Sequence, residues 1–450
     1  MDFENKKVLV VGLARTGLAV ARFLKDRGAH VTVTDLKKED ELGSYAHEAL
    51  TMGISLKLGS HKIESFTDSD LIVVSPGVPH RITPLEAARR AGIRVIGEVE
   101  LAYRFIKDKE EIVAITGTNG KTTTTSLVGE MLKASGRKVF VGGNIGAPLI
   151  DYLNSGKHAD VIVAEISSFQ LDTIERFSPK IGVLLNITED HLERYDDFNH
   201  YVRSKARLFK NQQSTDVAIL NGMDPVLREI EGLVAGQRLY FNIGSETRHG
   251  AVIRGKEMIC SLPGKPQVIL SLGKFGLKGK HNLENAAAAS LAALVAGADR
   301  TGIQTALDTY EGLNHRVKYV RNVNSIEYYN DSKATNVDAV KRSLESFDSP
   351  VILIMGGRDK GGSYSFLKEL IEKRVKKLIA IGEAREKILN ALGGLTHAEG
   401  TRTIADAVLL AHQSAAHGDV VLLSPGCSSF DMFTDYAERG KAFVKAVEEL

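Results

Sequence analysis

The sequence predicts three successive α/β domains built on largely parallel sheets. Short runs rich in Val, Ile and Leu alternate with apolar-periodic stretches of helical length, which is the βαβ rhythm. That rhythm starts afresh near residues 100 and 313, giving expected domains 1–99, 100–312 and 313–450. The chain has 450 residues, enough for several separate cores.

Composition narrows the function classes. Lys and Arg number 58 against 56 Asp and Glu, so no general field draws nucleic acid or an anionic membrane. Any cationic site must be local. The opening MDFENKK has no apolar signal region, and no apolar run is long enough for a membrane span. Two cysteines, Cys260 and Cys427, are too few for a disulfide framework or a cysteine zinc site. A soluble cytoplasmic protein is expected.

The first domain opens with KKVLVVGLARTGLAVARFLKDRGAHVTVTD. A strand around Val8 to Val11 enters a turn, an apolar-periodic helix follows, and a second strand from His30 to Thr34 ends at Asp35. This is the order of a Rossmann-like unit, in which Gly12 allows the tight turn and Gly17 lets helix and strand approach. Ala14 stands where the dinucleotide fingerprint has its middle glycine, so a dehydrogenase fits incompletely. A diphosphate at the helix N-terminus remains compatible with this turn. LIVVSPGVP (71–79) ends another strand in a polar turn.

The second domain opens with EIVAITGTNGKTTTTSLVGEMLKASG, a strand, a glycine loop and a helix closed by Gly136. The strict P-loop would place glycine at 115, where Ile115 stands. The strand–loop–helix context nevertheless makes a P-loop-type site for phosphates. Backbone N–H groups of Gly117, Thr118, Asn119 and Gly120 form an anion nest, Lys121 reaches phosphate, and Thr122 can ligate Mg²⁺. Downstream lie GGNIGAP with Asn144, and DVIVAEISSFQL, a buried strand ending at Glu165 before Ser167 and Ser168. KIGVLLNITEDHLERY follows as a strand with an acidic loop bearing His191. YVRSKARLFKNQQ (201–213) reads as a basic helix, on which Lys205 beside Arg203, Arg207 and Lys210 is by default one charge of a solvated face. KGKHNLENAAAASLAALVAGA is a polar turn entering an Ala-rich core helix. Ligands of parallel sheets bind at the carboxyl ends of strands, where Lys121, Glu165 and His191 all fall.

The third domain, again Rossmann-like, begins near LNHRVKYV. YYNDSKATN ends a strand; VILIMGGRDKGGSYSFL is strand, glycine loop and helix; VVLLSPGCSSFDMFTDYAERG is strand, turn and helix. Polar groups follow the strands in all three segments.

Taken together, GTNGKTT (117–123), GNIG (143–146), NITEDHLERY (186–195) and NDSKATN (330–336) resemble the Mur ligase family across essentially the whole chain. VGLARTG, NDSKATN and LSPGCSSFD resemble its D-glutamate-adding members. The resemblance implies a P-loop-type central ATPase domain and an ATP-dependent ligase. Its substrates would be UDP-N-acetylmuramoyl-L-alanine and D-glutamate, joined through an acyl phosphate in peptidoglycan precursor synthesis. It implies no nucleic-acid or membrane partner, and a monomer. Catalytic roles fall on Lys121, Glu165, His191 and Lys205. ATP falls to Gly117, Thr118, Asn119, Gly120, Lys121, Thr122 and Thr123, with Asn282, Asn285, Arg316 and Asp331 across the cleft. The UDP-sugar falls to Arg15, Thr16, Asp35, Leu36, Lys37, Ser75, Gly77, Asn144 and Ser167.

D-Glutamate is assigned by the resemblance to Lys333, Thr335, Lys360, Ser429, Phe430 and Tyr436, the last standing where the family places a phenylalanine-like residue. Two Mg²⁺ ions are implied, on Thr122, Glu165, His191 and Lys205. The family carbamylates the matching lysine with CO₂, turning a cation that would repel Mg²⁺ into an anionic oxygen ligand. A sister ligase, a folylpolyglutamate synthase-like ligase and a nucleotide-binding ATPase regulator without ligation are the competing expectations.

Overall fold

A computed structural model describes residues 1–106, 110–190, 194–241 and 249–450. The described residues form three sheets in sequence. The first holds β1 (Lys7–Val11), β2 (His30–Asp35), β3 (Ser55–Leu58), β4 (Leu71–Val74) and β5 (Arg94–Gly97), all parallel, in the order β3-β2-β1-β4-β5. Strand order reverses between β1 and β4, so the crevice at their carboxyl ends lies between the turn at Gly12 and the turn at Ser75. As the sequence requires, Gly17 brings its helix against β1: a Cβ there would fall 1.9 Å from the Gly12 carbonyl oxygen.

The middle sheet holds β6 (Glu111–Thr116), β7 (Val139–Gly143), β8 (Val161–Glu165), β9 (Ile181–Leu184), β10 (Val217–Asn221), β11 (Gln237–Phe241), β12 (Gly250–Arg254), β13 (Glu257–Ser261) and β14 (Val268–Ser271). Their order is β14-β13-β12-β11-β10-β9-β6-β8-β7. β8 and β9 are buried along their whole length, because helices cover both faces of a parallel sheet. The β12–β13 and β13–β14 pairs are antiparallel, an extension that no motif announces. β6 sits between β8 and β9, so the loop after it occupies the switch point of this sheet.

The third sheet holds β15 (Lys318–Val323), β16 (Ile326–Asn330), β17 (Val351–Gly356), β18 (Val375–Ile381), β19 (His397–Gly400) and β20 (Val420–Leu423). The order is β15-β16-β20-β17-β18-β19, parallel except for β15 against β16. β16, β20 and β17 are neighbours, which brings NDSKATN, SPGCSS and GGRDKGG to one edge. The helix expected directly after GGRDKGG starts later: a 3₁₀ turn, Tyr364–Leu367, precedes the helix Lys368–Arg374.

The segment 201–213 differs from its reading as a solvated face. Its helix spans Phe198–Ala206, capped by Asp197, whose carboxylate accepts from the His200 N–H. Tyr201, Val202, Ser204 and Lys205 are buried, while Arg203 and Lys210 are exposed. Basic composition concealed a buried face.

The first two domains are joined by a continuous apolar core. The buried carboxylate of Glu100 accepts from three successive N–H groups, Glu175, Arg176 and Phe177, and pairs with Arg104 at 2.7 Å. Among the described residues no helix is long and apolar enough to cross a membrane.

Candidate active site

The loop after β6 is shaped by its own side chains. The Asn119 N–H donates to Asn186 Oδ1 at 2.9 Å, and Asn186 Nδ2 donates back to the Asn119 carbonyl at 3.1 Å. Thr118 Oγ1 donates to the Thr188 carbonyl and accepts from the Thr188 N–H, so β9's following segment grips the loop twice. Gly120 ends the loop at φ +85°, and a Cβ there would fall 2.3 Å from Asn285 Oδ1. Only glycine fits both the turn and the approach of Asn285. Lys121 opens the helix Lys121–Ala134, and Nζ donates to the carbonyls of Gly117 and Thr118, each at 2.8 Å. Burial holds the Lys121 ammonium below its usual range, opposed by the charges of Glu165 and Asp190.

Lys205 enters the same place from the helix Phe198–Ala206. It is 1 % exposed, and Nζ donates to the Gly117 carbonyl at 2.8 Å while lying 4.7 Å from the centre of the Tyr201 ring. Burial first, and the charge of Lys121 second, push its pKa well below the ordinary lysine value. Glu165, at the end of β8, is buried. Its Oε1 accepts from Asn144 Nδ2 at 2.8 Å, whereas Oε2 is buried without a hydrogen-bond partner. A bare carboxylate oxygen beside a phosphate-type loop suits a hard cation. Among the described residues no three His, Cys, Asp or Glu side chains converge as a metal cluster. His191 lies outside the described residues. Ser167 caps the short helix Ser168–Leu171, its Oγ accepting from the Gln170 N–H.

Across the cleft, the third domain closes on the loop. Arg316 Nη2 donates to Thr122 Oγ1 at 2.7 Å, and Asn119 Nδ2 donates to Asp338 Oδ2 at 2.6 Å. Asn119, Gly120, Thr123, Asn282, Asn285, Arg316, Asp331 and Lys333 line one cavity between the two domains. Asn285 Nδ2 donates to Asn282 Oδ1 at 3.3 Å. Asp331 accepts from the Val317 N–H and from the hydroxyls of Ser343 and Ser424. Burial raises its pKa to about 6.

The acceptor-side residues follow the strands of the third sheet. Lys333 Nζ lies 3.7 Å from the centre of the Tyr436 ring, a cation–π contact. Burial lowers its pKa to about 8, with Arg316 adding repulsion. Thr335 and Lys360 are partly buried and Ser429 is buried, while Phe430 is 63 % exposed. Sequence reasoning passed over Arg439, which is completely buried. Its guanidinium donates to Ser332, Gly356, Cys427 and Ser428, tying together the loops after β16, β17 and β20. An arginine inside a helix gives no sequence sign of such a role.

In the first domain Asp35 accepts from the Leu13 N–H at 2.7 Å and the Lys37 N–H at 2.9 Å, bracing the turn after β1. Ser75 Oγ donates to the Gly12 carbonyl at 3.1 Å. Arg15, Leu36, Lys37 and Gly77 are exposed around that crevice, and Thr16 is partly buried.

Comparison with known proteins adds to this geometry. Three family models match in order: the Mur ligase MurD-like N-terminal domain over residues 6–97, the Mur ligase middle domain over 115–293 and the Mur ligase glutamate ligase domain over 315–427. The chain is 51 % identical over 451 residues to the UDP-N-acetylmuramoylalanine--D-glutamate ligase of Desulfosudis oleivorans, covering 100 % of this chain and 98 % of that one. The protein of the same name from Desulfatibacillum aliphaticivorans is 52 % identical over 450 residues, with 100 % of both covered. Among solved structures, a pseudomurein peptide ligase type C from Methanothermus fervidus matches with TM-score 0.61 and 20 % identity, covering 99 % and 100 % of the two chains. The MurF ligase of Thermotoga maritima in complex with ADP matches with TM-score 0.59 and 16 % identity, covering 100 % and 96 %. Those structures share the fold. With all three domain models matched in order and relatives about half identical from end to end, the chain belongs to the Mur ligase family.

Proposed function

We propose that this chain is the ATP-dependent ligase that adds D-glutamate to UDP-N-acetylmuramoyl-L-alanine. The observation that carries it is end-to-end similarity to ligases of that name, combined with a phosphate-type loop that faces a second domain across a cleft. The division at 1–99, 100–312 and 313–450 is part of this proposal. It is supported by three sheets that each fall within one of those spans.

The reaction joins two anions, so neutralisation is its main demand. The substrate carboxylate displaces ADP at the γ-phosphorus, giving an acyl phosphate. The neutral amine of D-glutamate then displaces phosphate from the acyl carbon and loses a proton. ATP would lie on the backbone nest Gly117 to Gly120, with Thr123, Asn282, Asn285, Arg316 and Asp331 around its nucleoside end. Lys121, now resting on two loop carbonyls, is placed to exchange them for phosphate oxygens. Two Mg²⁺ ions, held by Thr122, Glu165, His191 and Lys205, would neutralise phosphate and carboxylate charge. The bare Oε2 of Glu165 supports its share of that role.

Lys205 would serve as its carbamate. Its burial and its neighbour Lys121 favour the neutral amine, the form that adds CO₂ with loss of a proton. Arg15, Thr16, Asp35, Leu36, Lys37, Ser75 and Gly77 would hold the UDP end, with Asn144 and Ser167 along the path to the reacting carboxylate. Lys333, Thr335, Lys360, Ser429, Phe430 and Tyr436 would hold D-glutamate, whose two carboxylates suit lysines and hydroxyls. A monomer working in the cytoplasm completes the proposal.

Purified protein with ATP and UDP-N-acetylmuramoyl-L-alanine, offered D-glutamate, L-glutamate, L-alanine or diaminopimelate in turn, tests the proposal by ADP release. D-Glutamate alone should stimulate release strongly. Equal release with both glutamate enantiomers would reject the pocket, and release without any amino acid would favour an ATPase regulator.

A further inference from the structure

One short segment after β9 touches all three domains. Thr188 exchanges two hydrogen bonds with Thr118 of the phosphate-type loop. Asp190 accepts from Asn336 Nδ2 of the third domain at 3.1 Å. Arg194 reaches the first domain, where Nη1 donates to the Gly77 carbonyl at 3.3 Å and Nη2 to the Val78 carbonyl at 3.0 Å. Its guanidinium carbon lies 4.1 Å from the centre of the Phe169 ring, so the planar group is stacked on one face while its edge is hydrogen-bonded. His80 Nε2 meets the Phe169 carbonyl at 3.0 Å, fixing the far side of the same turn.

We infer that Arg194 is a positioning residue that sets the turn 75–78, one wall of the UDP-substrate slot, at a fixed distance from the phosphate-type loop. The inference rests on the assignment of that turn to the UDP-linked substrate. Such a substrate binds at one end in the first domain and reacts at the other end in the second. Its carboxylate is therefore correctly placed only if the two anchoring loops keep a fixed separation. The guanidinium holds two consecutive carbonyls of that turn, and its contact with Phe169 ties it to the helix Ser168–Leu171 that follows β8 in the second domain. Lysine cannot reproduce this, because a single ammonium lacks the planar fork and the stacking surface.

The neighbouring pair Arg81–Asp196 provides an internal control. It crosses the same interface at 2.7 Å, but both side chains are mostly exposed and neither touches the Gly77 or Val78 carbonyl. Exposed pairs contribute little to rigidity.

The test compares KM for UDP-N-acetylmuramoyl-L-alanine and for ATP in Arg194→Ala, Arg194→Lys, Phe169→Leu, Arg81→Ala and Arg15→Ala enzymes, with Tm for each. Arg194→Ala should raise KM for the UDP-linked substrate about tenfold while KM for ATP stays within about twofold. Arg194→Lys and Phe169→Leu should move it the same way but less, and Arg81→Ala should not move it. A folded Arg194→Ala enzyme with unchanged KM for the UDP-linked substrate would overturn the inference. So would a parallel rise of both KM values with a matching fall in Tm, the mark of a merely structural residue. Arg15 reports on the slot independently. If Arg15→Ala raises that KM and Arg194→Ala does not, the slot stands and the positioning role falls. If neither raises it, the slot assignment itself is wrong.

Discussion

Lys121 and Lys205 donate to the same acceptor, the Gly117 carbonyl oxygen, each at 2.8 Å. Two full positive charges sharing one carbonyl in a buried site repel strongly, so the more deeply buried of the two, Lys205, is the one driven toward the neutral amine. The pair thus combines a cation that can meet phosphate with an amine that can react.

Lys205→Ala and Lys205→Arg should each lower kcat by about a hundredfold or more, since the first removes the proposed ligand and the second adds a cation beside Mg²⁺. Lys210→Ala, at an exposed position of the same segment, should stay within about twofold of the parent. In CO₂-depleted buffer the parent enzyme should lose activity at mildly acidic pH and regain it with bicarbonate, because protonation removes the amine that forms carbamate. A Lys205→Ala enzyme with parental ADP formation would eliminate the carbamate.

Replacing Lys121 by Ala should reduce ADP formation by about a hundredfold or more. Binding of UDP-N-acetylmuramoyl-L-alanine, followed by calorimetry, should be nearly unchanged, because the slot after β1 and the loop after β6 belong to different sheets. Equal loss of both would contradict the assignment of ligands to domains.

Glu98 should make stability depend on pH. It is 1 % exposed, its Oε1 accepts from the Ile150 N–H at 2.7 Å, and its Oε2 is buried without a partner. Burial raises its pKa from 4.5 to about 7. Because the folded value lies above the unfolded one, its contribution is fully present below pH 4.5 and is lost as pH rises through about 7. Glu98→Gln should flatten Tm against pH across that window, with a change of up to about 3 kcal/mol in the slope-derived difference. An unaltered Tm profile would show that Glu98 is not the group that titrates.

The start of the phosphate-type loop was legible because strand, glycines and helix differ in period, and a nest followed by Lys121 has few structural uses. The third-domain loops were legible for a similar reason, since polar residues after parallel strands gather at one edge. The buried face of 198–206 was not, because Lys205 sits among Arg203, Arg207 and Lys210 and nothing local separates buried from solvated lysine. The strands between 250 and 271 were also silent, lying on the sheet's outer side with no polar motif after them.

The sequence alone determined which residues are able to carry charge, bend the backbone or end a strand, since those properties belong to single side chains and to short periodic patterns. It therefore determined the three-domain order, the phosphate-type loop and the family resemblance. Tertiary structure decided which groups meet. Lys205 and Lys121 converge on Gly117 although 84 residues apart in numbering, Arg439 binds three loops, and Arg194 spans from one domain to another. Such contacts depend on packing between distant segments, and burial then fixes protonation, because the cost of a charge is set by whatever surrounds it.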